Sequence, residues 1–388
     1  MSKVQTILMD FCVDPKDVKT DSQLSILSTN IENVLRDYLS NLKLASTIPV
    51  EGEIYKVYTG DMKSILTLRI FNSGMITINI EYLKGENQRE LLPLECAKQI
   101  EQKININLSC IRSKLFPPIK RGGTFDVYLT SSDDRLIEYD IDDVLFEERS
   151  PFQKVQVVHS TSLGNMLVLD DLQNIAEADL IYTETLMGKG KENYEDKEIV
   201  ILGGGDGALL YELLKEKPKS VTMLEIDEVV IKACSKHMRS ICGDVLDTRT
   251  GPNYKILVGD CLKSLNAFHQ EGRKFDYIFG DLTDVPITDK CETWNFVKSY
   301  LELSFKILKP TGKFMTHVSR QPSQFENLDC RFVGERFVLQ GGVAEVRNVF
   351  VDAETGAGRR QVSEFYSIVH GILGVLQDSF RQARLTPT

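Results

Sequence analysis

From Glu198 onward the chain alternates short apolar runs with amphipathic stretches: "EIVIL", "ALLYELLKE", "SVTMLEID", "EVVIKACSKHM", "YKILVGD", "CLKSLNAF", "FDYIFGD", "TWNFVKSYLELSFKIL" and "KFMTHV". The short runs read as strands buried on both faces, and the stretches between them carry apolar residues at helical spacing. This rhythm predicts an α/β fold, a doubly wound, mostly parallel Rossmann-like sheet of the methyltransferase type with helices on both faces. Ligands of such sheets lie beyond the carboxyl ends of the strands. Four of those ends are acidic here. The first strand leads to Asp206, the second holds Glu225 and ends at Asp227, the third ends at Asp260 and the fourth at Asp281. Their convergence on one rim would make a strongly negative crevice.

The loop after the first strand reads "ILGGGDGALL", with Gly203, Gly204, Gly205 and Gly207 around Asp206. Gly203-x-Gly205-x-x-Ala208 fits a dinucleotide fingerprint, and Glu225 or Asp227 follows at the distance of a ribose-binding acid. Asp206 argues against a pyrophosphate. Two like charges ~4 Å apart at an effective dielectric of ~20 repel by ~4 kcal/mol, whereas an amine in the same place is attracted. A nucleoside without phosphate, such as an S-adenosyl compound, suits the loop better. Each acid also has a structural reading: Asp206 and Asp260 both precede helices and would serve as N-caps. Asp281 leads into the irregular "LTDVP", a loop type that more often carries function than packing.

The 388 residues suffice for several domains. Leu24, Leu27, Ile31, Val34, Leu35, Tyr38 and Leu42 predict a helix from Ser22, and "SILTLRIF" and "MITINIEY" around Asn72-Ser73-Gly74 predict a hairpin. A second helical pattern covers Leu94 to Leu108 before Pro117-Pro118 and Gly122-Gly123 break regular structure. We therefore assign an N-terminal α+β domain to residues 1–115 and a small antiparallel β segment to 120–175. The parallel sheet occupies 176–318 and a tail 319–388. The net charge of −10 disfavours nucleic acid as a partner. Eight scattered cysteines without a CxxC pair predict reduced thiols rather than a zinc site or disulfides, and no histidine stands at metal-ligand spacing from another. No apolar run is long enough for a bilayer and no signal-like segment opens the chain, so we expect a cytoplasmic protein with no membrane partner.

Together, "ILGGGDGALL", "VTMLEID", "VGDC" and "FDYIFGDLTDVP", with "RGGTFDVY", "SPFQKVQVVHSTSLGNMLVLDD" and "NIAEADLIYTETLMG", resemble the polyamine-forming aminopropyltransferases over roughly residues 120–318. "GDC" and "DLTDVP" are similar to the branch that makes spermine. The resemblance implies transfer of an aminopropyl group from decarboxylated S-adenosylmethionine to spermidine, giving spermine and 5′-methylthioadenosine, with no further cofactor and no metal. It implies Asp281 as the catalytic base, and Tyr182 and Asp206 as contacts of spermidine. It implies Gln153, Glu225, Asp260 and Cys261 at the nucleoside donor, with Asp227 as a neighbour and Gly203, Gly204, Gly205 and Gly207 forming the glycine loop. It also implies that residues 1–115 make a homodimer through a fold similar to S-adenosylmethionine decarboxylase. An acceptor of putrescine, or an enzyme impaired by its tail, are the alternatives. After about His317 the likeness ends. The tail lacks the family's closing strands, with their tyrosine and acid, and Val362 to Leu376 keep a helical spacing interrupted by Gly371 and Gly374.

Overall fold

The computed structural model describes residues 3–131, 135–282 and 292–316, with two three-residue strands beyond them. The loop Thr283–Pro286 and the helical pattern in the tail lie outside the described residues. Two units are formed, Met1–Val127 and Tyr128–Thr388.

In the first unit, strands β1 (Lys3–Cys12), β2 (Lys43–Val50), β3 (Glu53–Thr59), β4 (Ile65–Ile70), β5 (Met75–Lys84), β6 (Arg112–Leu115) and β7 (Ile119–Arg121) form one sheet. Its order is β2-β3-β4-β5-β1-β6, with β7 also paired to β1. The period-two alternation of β4 and β5 sets the register: Leu66 faces Ile80, Leu68 faces Ile78 and Ile70 faces Ile76, all buried on one side. Helices α1 (Asp21–Tyr38) and α2 (Leu94–Asn107) cover that side with Leu24, Ile31 and Leu35, and with Ala97, Ile100 and Ile104. A capping box between Thr20 and Gln23 starts α1, and Leu42, expected on this helix, lies past its end. β1 is an interior strand, with β5 on one side and β6 and β7 on the other; sequence periodicity does not mark it, because its partners are distant: Lys3 pairs with Lys84 and Val4 with Arg121. The β7 pairing carries the first unit past Leu115, the end assigned from the sequence.

The second unit opens with β8 (Tyr128–Thr130), β9 (Leu136–Glu138), β10 (Ile141–Arg149), β11 (Lys154–Ser160), β12 (Gly164–Leu169) and β13 (Leu172–Ala176), ordered β10-β11-β12-β13-β8-β9. This sheet is antiparallel except where β13 meets β8 in parallel at Leu172 and Thr130, a departure from the wholly antiparallel segment expected. There follow α3 (Leu180–Leu186), β14 (Glu198–Gly203), α4 (Ala208–Lys215), β15 (Ser220–Glu225), α5 (Glu228–His237), α6 (Arg239–Cys242), β16 (Tyr254–Val258), α7 (Cys261–Gln270), β17 (Phe275–Asp281), α8 (Glu292–Ile307) and β18 (Leu308–Thr316). Strands β14 to β18 are all parallel, in the order β16-β15-β14-β17-β18. Both faces are buried, as the unbroken apolar runs require. From β14, Ile199 and Ile201 join a core with Leu209 and Leu213 of α4 and Ile231 of α5. Val200 and Leu202 join another with Leu265 of α7 and Leu301 of α8. Val155, Val157, Leu167 and Ile175 of the preceding sheet belong to the first of these cores, so the β segment is packed continuously with the parallel sheet. Strands β19 (Phe337–Leu339) and β20 (Gly342–Ala344) form a separate antiparallel pair. None of the described helices is long and apolar enough to cross a membrane.

Candidate active site

At the switch in strand order, β14 and β17 run side by side in parallel and place Gly203 opposite Asp281. The chain then turns over the ends of the strands. Gly203 has φ +82, and a β-carbon there would stand 2.1 Å from the carbonyl oxygen of Asp281, so no side chain fits this position. The Gly204 N–H donates to that same carbonyl at 3.1 Å, and Asp281 Oδ2 lies 3.4 Å from where a Gly204 β-carbon would be. A β-carbon on Gly205 would come within 2.7 Å of Glu225 Oε2, and its N–H instead donates to that oxygen at 3.0 Å. The glycine spacing of the sequence is thus explained by backbone contact with two carboxylate-bearing strand ends, without a phosphate.

A cavity of about 270 Å³ opens beyond these ends. It is lined by Gly203, Gly204, Gly205, Asp206, Glu225, Asp260, Cys261 and Asp281 from the parallel sheet, with Tyr182 of α3 and Gln153 from the turn between β10 and β11. Ten residues singled out from the sequence therefore share one cavity, although they span Gln153 to Asp281. No lysine, arginine or histidine is among its described lining residues, so that lining offers no side-chain cation to a phosphate. Asp227 and Gly207 do not line it. Asp227 N-caps α5, its Oδ1 accepting from the Val229 N–H at 3.0 Å, and is 1% exposed. Gly207, at φ +80, sits behind the loop, where a β-carbon would meet Leu246 and Cys242.

The capping reading holds for Asp260, the N-cap of α7, alongside its place in the cavity; it is corrected for Asp206, because Gly207 takes the N-cap position of α4 and Asp206 stands one residue before it. Asp206 Oδ1 accepts from the Ala208 N–H at 2.8 Å and Asp260 Oδ1 from the Leu262 N–H at 2.9 Å; each keeps its second oxygen out of that bond. Burial raises the Asp206 carboxyl above its ordinary range, opposed by the Ala208 N–H. Glu225 is 8% exposed, and its Oε1 accepts from the Asp227 N–H at 2.8 Å. Burial pushes this carboxyl up to about 7; the Asp227 N–H opposes it, and the negative charges of Asp227 and Asp206 add to it. Two buried carboxyls, both held high by burial and Glu225 also by the charges beside it, are poised to ionise when a cation and hydroxyl donors arrive. Cys261 is pushed up to about 11, first by burial and then by Asp260, which leaves a neutral thiol as wall rather than nucleophile.

Sequence reasoning missed the apolar half of the cavity. Leu167, Leu169, Leu172 and Ile175 reach it from β12 and β13, with Phe152, Ile226 and Val230. Ile226 is 44% exposed, an apolar side chain left facing open space between two buried acids, and its position in "LEID" was the available signal. Together the lining offers flat apolar surface for a base, Glu225 for hydroxyls and a carboxylate end at Asp206 and Asp281 for a cation. Among the described residues, no cluster of three histidine, cysteine or carboxylate side chains is placed to hold a metal ion.

Comparison with known proteins gives two family matches: a spermidine synthase tetramerisation domain over residues 127–177 and a spermine/spermidine synthase domain over 179–329. The second continues past His317, where the sequence likeness was placed at its end. Proteins named polyamine aminopropyltransferase are similar to this chain. That of Aeropyrum pernix is 30% identical over 186 residues, 47% of this chain and 57% of that protein. That of Sulfolobus acidocaldarius is 33% identical over 180 residues, 45% of this chain and 57% of that protein. The chain thus spans less than two thirds of the length of these relatives. A solved spermidine synthase from Thermotoga maritima aligns over 51% of this chain and 64% of its own at 20% identity and a TM-score of 0.42, too distant to bear on the site.

Proposed function

Because residues 127–177 and 179–329 belong to the spermine/spermidine synthase family, we propose that this chain is an aminopropyltransferase that uses decarboxylated S-adenosylmethionine as donor and spermidine as acceptor. The observation that carries the reading is the cavity itself: Asp206, Glu225, Asp260 and Asp281 at four strand ends, with no basic residue in its described lining. A cation ~4 Å from one such carboxylate gains ~4 kcal/mol at an effective dielectric of ~20. Both substrates are cationic, one at its sulfonium and amine and the other along its length.

The donor lies with its base on the apolar wall and its ribose hydroxyls donating to Glu225. The acceptor amine is held by Asp206 and Tyr182. It attacks the propyl carbon attached to sulfur, so that a C–N bond forms, the C–S bond breaks and its electron pair stays on sulfur as a neutral thioether. Asp281 takes the proton the nitrogen loses. The sulfonium is already a good leaving group, so no covalent enzyme intermediate and no cofactor is called for. Holding the two substrates in line supplies the larger part of the acceleration, about 7 kcal/mol or more in well-oriented systems. The spermidine assignment rests on "GDC" at Gly259-Asp260-Cys261 and on "DLTDVP". The match named for tetramerisation, over residues 127–177, supports self-association; a dimer made through the N-terminal unit of a cytoplasmic enzyme is our reading from the sequence and does not rest on that match.

Incubating the full chain with decarboxylated S-adenosylmethionine and either spermidine or putrescine, and measuring methylthioadenosine, tests the reading. Release with spermidine alone is expected. Release with putrescine alone moves the acceptor to the smaller diamine, and release with neither refutes the activity.

A further inference from the structure

Asp227 was expected beside the donor, and it lies instead one layer behind the cavity wall. Its two oxygens receive three donors. Oδ1 accepts from the Val229 N–H at 3.0 Å, while Oδ2 accepts from the Ser150 hydroxyl at 2.7 Å and from Gln153 Nε2 at 3.0 Å. Ser150 Oγ in turn accepts from the Phe152 and Gln153 N–H groups, both at 3.1 Å, and the Ser150 N–H donates to the Gln153 carbonyl at 2.9 Å. The turn carrying Gln153 is therefore tied at backbone and side chain to the residue that caps α5. Ser150 and Asp227 are both buried; Gln153 lines the cavity.

A carboxylate offers no donor, so the end of the Gln153 amide that meets it must be nitrogen. The amide oxygen is then the end left for the cavity. We propose that Asp227 is a positioning residue that fixes the polarity of Gln153, so that this wall accepts a hydrogen bond and selects a ligand bearing a hydroxyl or amine donor there. This rests on the nucleoside reading of the site, in which the donor group is a ribose hydroxyl. It gives a reason for two acids two residues apart: Glu225 accepts from the ligand directly, and Asp227 makes its neighbour accept.

The test exchanges the two functional groups. In Asp227→Asn, the new amide oxygen still caps α5, but an NH₂ stands where Oδ2 was. Gln153 must then turn its oxygen inward and show the cavity its nitrogen. In Gln153→Glu, two carboxylates meet at the 3.0 Å now separating Nε2 from Oδ2. The double variant D227N/Q153E keeps the net charge and restores the pair in reverse: the amide introduced behind the wall donates, and the carboxylate introduced in the turn accepts with one oxygen and shows the cavity the other. Calorimetry of methylthioadenosine binding to the full chain should show D227N weakened by about 10- to 100-fold, the range for one lost hydrogen bond with an unpaired partner. The double variant should recover to within about threefold of wild type, as expected for coupled neighbours. In turnover the D227N defect should appear in KM for the donor with kcat little changed. D227N binding as wild type does, or a double variant no better than D227N, overturns the proposal. Melting of the ligand-free proteins separates this from the proposed activity. The double variant should melt above Q153E even if wild type proves not to bind the nucleoside, and a double variant that melts as low as Q153E refutes the pairing.

Discussion

Proton uptake by Glu225 gives the sharpest check on how this cavity works. The carboxyl stands at about 7 against an ordinary 4.5, chiefly through burial. At ~1.4 kcal/mol per pH unit, ionising it in the folded protein is about 3 kcal/mol less favourable than in the unfolded chain. Its folded-state value is raised, so the stabilising contribution is fully present below 4.5 and is lost as pH rises through about 7. The ligand-free protein should therefore melt at lower temperature at pH 8 than at pH 5.5, and Glu225→Gln should flatten that dependence. Ligand affinity runs the other way. Hydroxyls donate to the ionised form, and at pH 5.5 only about 3% of such carboxyls are ionised, so methylthioadenosine should bind about 30-fold more weakly there than at pH 8.5. Calorimetry at pH 6 in two buffers of different ionisation enthalpy should show close to one proton released per nucleoside bound. In Glu225→Gln the affinity should be weak and flat with pH. A wild-type affinity that does not change between pH 5.5 and 8.5, or a variant that keeps the wild-type slope, would refute the assignment of the titrating group to Glu225.

Asp281→Asn should lower turnover by about 10²- to 10⁴-fold, the usual contribution of a positioned base, while calorimetric affinity for methylthioadenosine stays within about twofold. Gly205→Ala drives a methyl against Glu225 Oε2; it should lower thermal stability by about 1–3 kcal/mol as an overpacked site and weaken nucleoside binding, both read by melting with and without ligand. Sedimentation of residues 128–388 alone should show a smaller assembly than the full chain, and an unchanged assembly would place the self-association outside the N-terminal unit.

Much of the second unit can be read in the linear sequence because its determinants are local. Ile199 to Leu202 and their counterparts alternate faces within a few residues, and parallel strands joined by helices must all finish on the same rim. The convergence of Asp206, Glu225, Asp260 and Asp281 follows from that geometry alone. What the chain order does not encode is which atoms come to face each other across long separations. β1 takes an interior place in the first sheet by pairing with strands more than sixty residues away. Leu167 to Ile175 become a wall of a cavity whose acids lie on another sheet. Glu225 and Asp227 are equivalent by spacing, yet the chain turns into α5 between them, so one carboxylate opens to the cavity and the other is enclosed with Ser150 and Gln153. Protonation is decided at the same level: a glutamate acquires a value near neutrality only once packing has removed water and brought a second acid beside it. Periodicity settles the frame; burial and long-range contact settle the chemistry.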